Sequence, residues 1–211
     1  MQTKNRQPAF VLLPLVLAVS AVSNAQAQAT AGNGSWTQNV GVTVGNEYDD
    51  NIFAERENRQ DDTITVVSPF VELVGKGERH EVRLYGNAER GKYHAFESEN
   101  YTDWRVGTEG RFAYSDAGSV FGGLNSGHGH ESRTSPDAVN GKEPTVYDRI
   151  GAFAGVNHTF GLVTSRVGGT WESLDFDDVE ADGGASIEQD DRDRDLTTFG
   201  GRFGYRLSDT L

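Results

Sequence analysis

Residues 103–114 read Asp103-Trp104-Arg105-Val106-Gly107-Thr108-Glu109-Gly110-Arg111-Phe112-Ala113-Tyr114. Trp104, Val106, Thr108, Phe112 and Tyr114 fall on one parity, while Asp103, Arg105, Gly107, Glu109 and Arg111 fall on the other. A period of two is the repeat of an extended chain, whose successive side chains point to opposite faces. The stretch is therefore a strand with one apolar and one charged face. Outward from it, the same rule recurs in both directions along the chain.

Towards the C-terminus, Ile150, Ala152, Ala154, Val156 and Phe160 oppose Arg149, Gly151, Gly155 and Asn157. Val163, Val167 and Trp171 oppose Thr164, Arg166, Thr170 and Glu172, and Thr197, Phe199, Phe203, Tyr205 and Leu207 oppose Thr198, Gly200, Arg202, Gly204 and Arg206. Towards the N-terminus, Val82 and Leu84 oppose Arg83, Tyr85, Asn87 and Glu89, in a strand that continues toward Tyr93. Trp36, Val40, Val42, Val44 and Tyr48 oppose Asn39, Gly41, Thr43, Gly45 and Glu47. Thr63 to Val74 and Ser119 to His128 are read as strands two and five, although the former has Ile64, Val66 and Phe70 on one parity and Val67, Val71 and Leu73 on the other. No segment beyond residue 30 carries a helical period, so the fold class is all-β with eight strands.

The connections carry more information than any single strand. Asp49 to Asp62, Glu131 to Thr145 and Asp175 to Asp195 are long and Glu97 to Thr102 is medium, whereas Gly75-Lys76-Gly77, Ser115-Asp116-Ala117-Gly118, Gly161 and Ser208-Asp209 mark short turns. Long and short alternate, and in an antiparallel meander alternate connections emerge at the same end. A soluble sandwich has no reason to sort its loops in this way. An antiparallel up-and-down transmembrane β-barrel does, with long external loops, short periplasmic turns and aromatic girdles. Trp36, Tyr48, Tyr114, Phe160, Trp171 and Tyr205 lie near strand ends, where girdles belong.

Composition excludes several classes. There is no cysteine, hence no disulfide framework, thiolate metal site or cysteine nucleophile among the 211 residues. A net charge of −13 opposes a phosphate backbone, so nucleic acid is not an expected partner. Lys4 and Arg6 precede an apolar run from Ala9 to Val22, and Ala25-Gln26-Ala27 or Ala27-Gln28-Ala29 fits small-x-small cleavage. Residues 1–29 thus read as a signal peptide and 30–211 as one outer-membrane β-barrel domain. The apolar run is shorter than the roughly 20 residues that span a bilayer as helix.

The phrase Gly41-Val42-Thr43-Val44-Gly45-Asn46-Glu47-Tyr48-Asp49-Asp50-Asn51-Ile52-Phe53, continued by Asp62-Thr63-Ile64, Ser68-Pro69, Tyr93, Glu99-Asn100-Tyr101, Asp103, Glu131-Ser132-Arg133 and Gly151 to Phe160, is distinctive. It resembles the β-barrel porin 2 type of outer-membrane protein over nearly all of the chain after residue 29. The resemblance implies a bacterial outer-membrane barrel, encoded beside exopolysaccharide genes and about twice this length, with more strands. It also leads to the expectation that the chain is truncated at its C-terminus and belongs to a larger barrel, because Thr210-Leu211 follows a short turn and Leu211 is not the terminal aromatic residue common in this class. Eight strands closed on themselves leave an interior filled by side chains, whereas about sixteen leave an aqueous channel.

Arg83, Glu89, Arg105, Glu109, Arg111, Arg149, Arg166, Glu172, Arg202 and Arg206 share the parity assigned to the interior, seven arginines against three acids. As a channel lining they would favour anionic solutes. As a structural interior they would pair across neighbouring strands, and both readings stand at this point. Three functions compete: a porin-like channel for small hydrophilic or anionic solutes such as acidic saccharides, a structural or surface-display barrel of an exopolysaccharide system, and a rim hydrolase. The last would use His80, His94, His128, His130 or His158, of which His128 and His130 share a parity near Ser126 and Ser132, yet no nucleophile elbow or zinc-protease motif occurs. The expectation is no enzyme, no cofactor and no metal site. Outer-membrane lipid and lipopolysaccharide are the expected partners, with exopolysaccharide beside them. Asp175 to Asp195 holds ten acids against two arginines, and Asp49 to Asp62 six against two. Such carboxylates suit divalent cations that bridge lipopolysaccharide phosphates, but the preferred expectation is a solvated, mobile charge run.

Overall fold

The computed structural model describes residues 19–21, 30–31 and 34–207. Eight long strands follow one another: β1 Gly34–Asp49, β2 Asp62–Lys76, β3 His80–Tyr93, β4 Tyr101–Ala113, β5 Gly118–His130, β6 Val146–Phe160, β7 Val163–Phe176 and β8 Arg194–Tyr205. Each pairs antiparallel with its neighbour in chain order, giving an up-and-down sheet. This is the all-β meander of a β-barrel wall, although here the sheet is not closed. At its first edge, Val19–Ala21 pairs with Val42–Val44 and Thr30–Ala31 with Gly34–Ser35. The rest of the expected leader, both cleavage sequences and the turn at Ser208-Asp209 lie outside the described residues.

Directly opposed residues of an antiparallel ladder project to the same face, so one assigned strand sets the parity of all. Leu73 faces Leu84, Leu84 faces Thr108, Thr108 faces Leu124, Leu124 faces Ala152, and Ala152 faces Trp171. This row belongs to a continuous apolar face that stays exposed, with Val106 at 49%, Leu124 at 62% and Phe199 at 83% of full accessibility. Buried apolar side chains, by contrast, are few among the described residues. Ile52, Ile64, Phe176 and Val179 all lie at the long-loop end. The molecule has the polarity of a membrane wall, with its largest apolar surface outside.

The register also settles the ambiguous second strand. Val67 and Val71 oppose Val44 and Val40, so they join the apolar face with Leu73, and Ile64, Val66, Phe70 and Glu72 turn to the polar face. Apolar residues occupy both parities because the polar face has its own use for them. There an aromatic ring lies over the glycine opposite: Phe70 over Gly41, Tyr85 over Gly107, Phe121 over Gly155 and Phe153 over Gly123. A β-carbon on Gly107 would sit 2.4 Å from the Tyr85 ring, so the ring's seat exists only because the residue is glycine. Pro69 lies within β2 without breaking the wall. The β2–β3 ladder skips Ser68 and Pro69, consistent with a residue that has no N–H to donate, and the Ser68 hydroxyl donates instead to Glu89 at 2.9 Å.

Residues 50–61, 94–100, 131–145 and 177–193 connect strands at one end, and 77–79, 114–117 and 161–162 at the other. The expected sorting of loops is present. Two details differ from the expectation. Trp171 is not at girdle depth, because its register with Ala152 and Leu124 places it in the middle of the apolar band. The acids of residues 177–193 are exposed, as expected of a solvated charge run, but their backbone is ordered. Residues 177–193 contain a two-stranded ladder, Val179–Glu180 with Ser186–Ile187, and a 3-10 turn at Asp190–Arg192. Val179 is buried, and Arg192, one of the two arginines counted against the acids of this segment, is used as a clamp on Glu131.

Candidate functional site

Nine of the ten residues expected on the interior lie in the ladders, and all nine share the polar face: Arg83 opposite Glu109, Arg105 opposite Gly127, Arg111 opposite Phe121, Arg149 opposite Gly127 and Leu174, Glu172 opposite Gly151, and Arg166 opposite Arg202, with Glu89 opposite Asp103. Arg206 follows β8, and its backbone N–H donates to the Leu162 carbonyl at 2.9 Å.

Pairing divides this set. Arg83 donates to Glu72 and lies 3.5 Å from Glu109, and Arg149 pairs with Glu172. Glu89 accepts hydrogen bonds from Ser68 and from the Tyr101 hydroxyl, both at 2.9 Å. Four arginines meet no carboxylate within salt-bridge distance among the described residues. Arg105 reaches Asn125 at 3.5 Å, Arg111 donates to the Ser119 hydroxyl at 3.1 Å, Arg166 lies 4.2 Å over the Phe121 ring, and Arg202 projects from β8 into the open. Arg83, Glu109, Arg111, Asn157 and Arg166 border a recess of about 410 Å³ floored by Phe121 and Phe153. Glu72 was missed from sequence because its strand showed no dominant parity. The signal lay in the charge itself, one position beyond Val71.

The four long connections form one layer above this face. Asp62, at the head of β2, accepts the backbone N–H groups of His94, Ala95 and Phe96 at 3.0–3.2 Å, which ties the first connection to the second. Glu99 is 2% exposed and receives two hydrogen bonds of 2.8 Å from Arg133, a forked pair that ties the second to the third. Glu131 receives Arg192 at 2.8 and 3.0 Å and Ser135 at 2.9 Å, which ties the third to the fourth. Burial alone would raise the Glu131 carboxyl, but the hydrogen bonds from Arg192 and Ser135 outweigh it and hold it below the ordinary carboxylate range. The Arg192 guanidinium, lying 4.3 Å over the Phe176 ring, is held above its ordinary value by the hydrogen bond to Glu131.

The histidines do not converge. His128 pairs with Asp148 at 2.7 Å, while His130 takes Asp103 at 2.9 Å and stacks on Tyr101 with ring centroids 3.9 Å apart. The Ser132 hydroxyl is shared with Thr134, and the His158 ring bonds the Tyr114 hydroxyl. A nucleophile, its base and an orienting acid are thus not assembled from these groups. No group of three or more His, Cys, Asp or Glu suited to a metal ion occurs among the described residues.

An antiparallel meander with an exposed apolar face, an arginine-bearing polar face and loops sorted to one end defines a β-barrel wall protein. The family model described as Putative beta-barrel porin 2 matches residues 27–211, and the chain belongs to that family. No curated protein and no solved structure matches it.

Proposed function

We propose that this protein forms the wall of a passive channel in the bacterial outer membrane, with the long connections outside and the tight turns in the periplasm, and that the channel passes small hydrophilic or anionic solutes. The observation that carries the reading is the opposition of the two faces: exposed valine, leucine and aromatic side chains on one, guanidinium groups without carboxylate partners on the other. Backbone groups in lipid are satisfied only by helices or closed barrels, so the edges of β1 and β8 need partner strands before the wall can stand in a bilayer. The apolar face then meets acyl chains and the polar face meets water.

The four uncompensated arginines favour anions over cations along the path. Planar-bilayer recording with the refolded protein under a salt gradient tests this. The reading predicts stepwise conductance with an anion-selective reversal potential that declines when Arg105, Arg111 and Arg202 are changed to glutamine. Cation-preferring conductance indifferent to those three changes contradicts it. A structural barrel within an exopolysaccharide system, with lipopolysaccharide against its loop layer, is the second reading. It is favoured by the mutual clamping of the four long connections, and it predicts no conductance steps at all.

A further inference from the structure

Between β6 and β8 the polar face holds a recess of about 480 Å³, within the size range of small-molecule sites. At its end nearer the tight turns, Arg166 of β7 and Arg202 of β8 stand directly opposite one another in the ladder. Like charges placed there repel, and no carboxylate lies within salt-bridge distance of either among the described residues. Arg166 rests on the Phe121 ring, and Arg202 has no hydrogen-bond or ion-pair partner among the described residues. The acid of β7 on this face, Glu172, is six residues from Arg166 and already taken by Arg149.

Two residues along, the floor is bare backbone, because Gly168 and Gly200 are opposite one another and nothing stands within 4 Å of where a Gly200 side chain would begin. Two residues further, Thr170 and Thr198 are again opposed, beside Phe153. The sequence of surfaces is thus a guanidinium pair, a smooth floor and a hydroxyl pair. Four residues of strand separate the two ends, about 13 Å.

We infer that this recess is a binding site for an anionic sugar, whose carboxylate bridges Arg166 and Arg202 while its ring lies over Gly168 and Gly200 and its hydroxyls reach Thr170 and Thr198. The inference deepens the channel reading and rests on it for its purpose. One exchangeable oxyanion relieves the repulsion of the two guanidiniums through forked hydrogen bonds. Both guanidiniums stay open to solvent, so the site is weak, as a site on a conduction path has to be if solute is to leave it.

NMR titration of the refolded protein in detergent micelles tests the site, with glucuronate as probe and with glucose and acetate representing its ring and its charge. Glucuronate is expected to bind at millimolar concentration and more tightly than either control. Arg166→Gln with Arg202→Gln weakens glucuronate at least ten-fold. The double lysine variant, which keeps the charge but loses the fork, recovers part of that loss. Thr170→Val with Thr198→Val brings glucuronate down to acetate. Arg56→Gln, which removes a charge from the first long connection, leaves binding unchanged. Equal affinity for glucuronate and acetate in the unmodified protein overturns the site, as does a loss in Arg56→Gln matching that of the arginine pair. Conductance without glucuronate binding also overturns the site and leaves the channel standing. Binding without conductance supports the site and refutes the channel.

Discussion

Glu99 and Arg133 show what a single pair does in this protein. The carboxylate is 2% and the guanidinium 11% exposed, so both have lost most of their water, and the forked geometry at 2.8 Å offsets that loss. Replacing such a pair by apolar groups of similar size is often close to neutral, whereas removing one partner strands a buried charge at a cost of about 3–5 kcal/mol. Arg133→Ala is therefore expected to loosen the second and third long connections, seen as lost hydrogen-exchange protection in residues 94–100 and 131–145. Glu99→Leu combined with Arg133→Met is expected to keep most of it. Unchanged protection in Arg133→Ala shows that the pair holds nothing together.

At the scale of elements, the strands and their alternation with loops were legible because the period of two is written in each strand separately. β4 shows it without exception from Trp104 to Phe112, since its valine and aromatic residues meet one solvent and its arginine and glutamate residues another. β2 and β5 obscured it for a local reason. Phe70 and Phe121 sit on the polar face to cover Gly41 and Gly155, a role set by the neighbouring strand and invisible within their own. The loop layer was not legible at all. Its clamps join Glu99 to Arg133 and Glu131 to Arg192 across 34 and 61 positions, and a charge count cannot see partners that distant. The second clamp predicts an acid response. A carboxyl whose folded pKa is depressed adds stability that is full above its unfolded value, about 4.3 for glutamate, and that vanishes as pH falls through the folded value. Hydrogen exchange in residues 131–145 and 177–193, corrected for intrinsic rates, should be steady from about pH 7 to 5. It should then rise below pH 4 while the strands stay protected. Glu131→Gln should show the faster exchange already at neutral pH. A layer that opens on raising pH instead would mean that this carboxyl is not the clamp.

For the molecule as a whole, what separates a membrane wall from a soluble sheet is the liquid against its apolar face, and depth along the strands gives a way to read that liquid. Leu124 stands at the centre of β5, opposite Thr108 and Ala152, and is 62% exposed. Phe160, at the end of β6 beside a tight turn, is 64% exposed. In water two such exposed positions are equivalent, and arginine at either changes stability by less than about 0.5 kcal/mol. In a bilayer they are not. Arginine costs about 2–4 kcal/mol at the midplane of a β-barrel's lipid face and about 0–1 near the interface. Urea unfolding of the protein in phospholipid vesicles should therefore show Leu124→Arg strongly destabilised and Phe160→Arg nearly unaffected. The polar face supplies the internal control, because Thr164 lies on it close to the same tight turns and Thr164→Arg adds a charge to a surface already bearing Arg166 without taking any charge into lipid. If Leu124→Arg and Phe160→Arg prove equally harmless, the apolar face does not meet acyl chains, and the opposition of faces on which the channel reading stands has another cause.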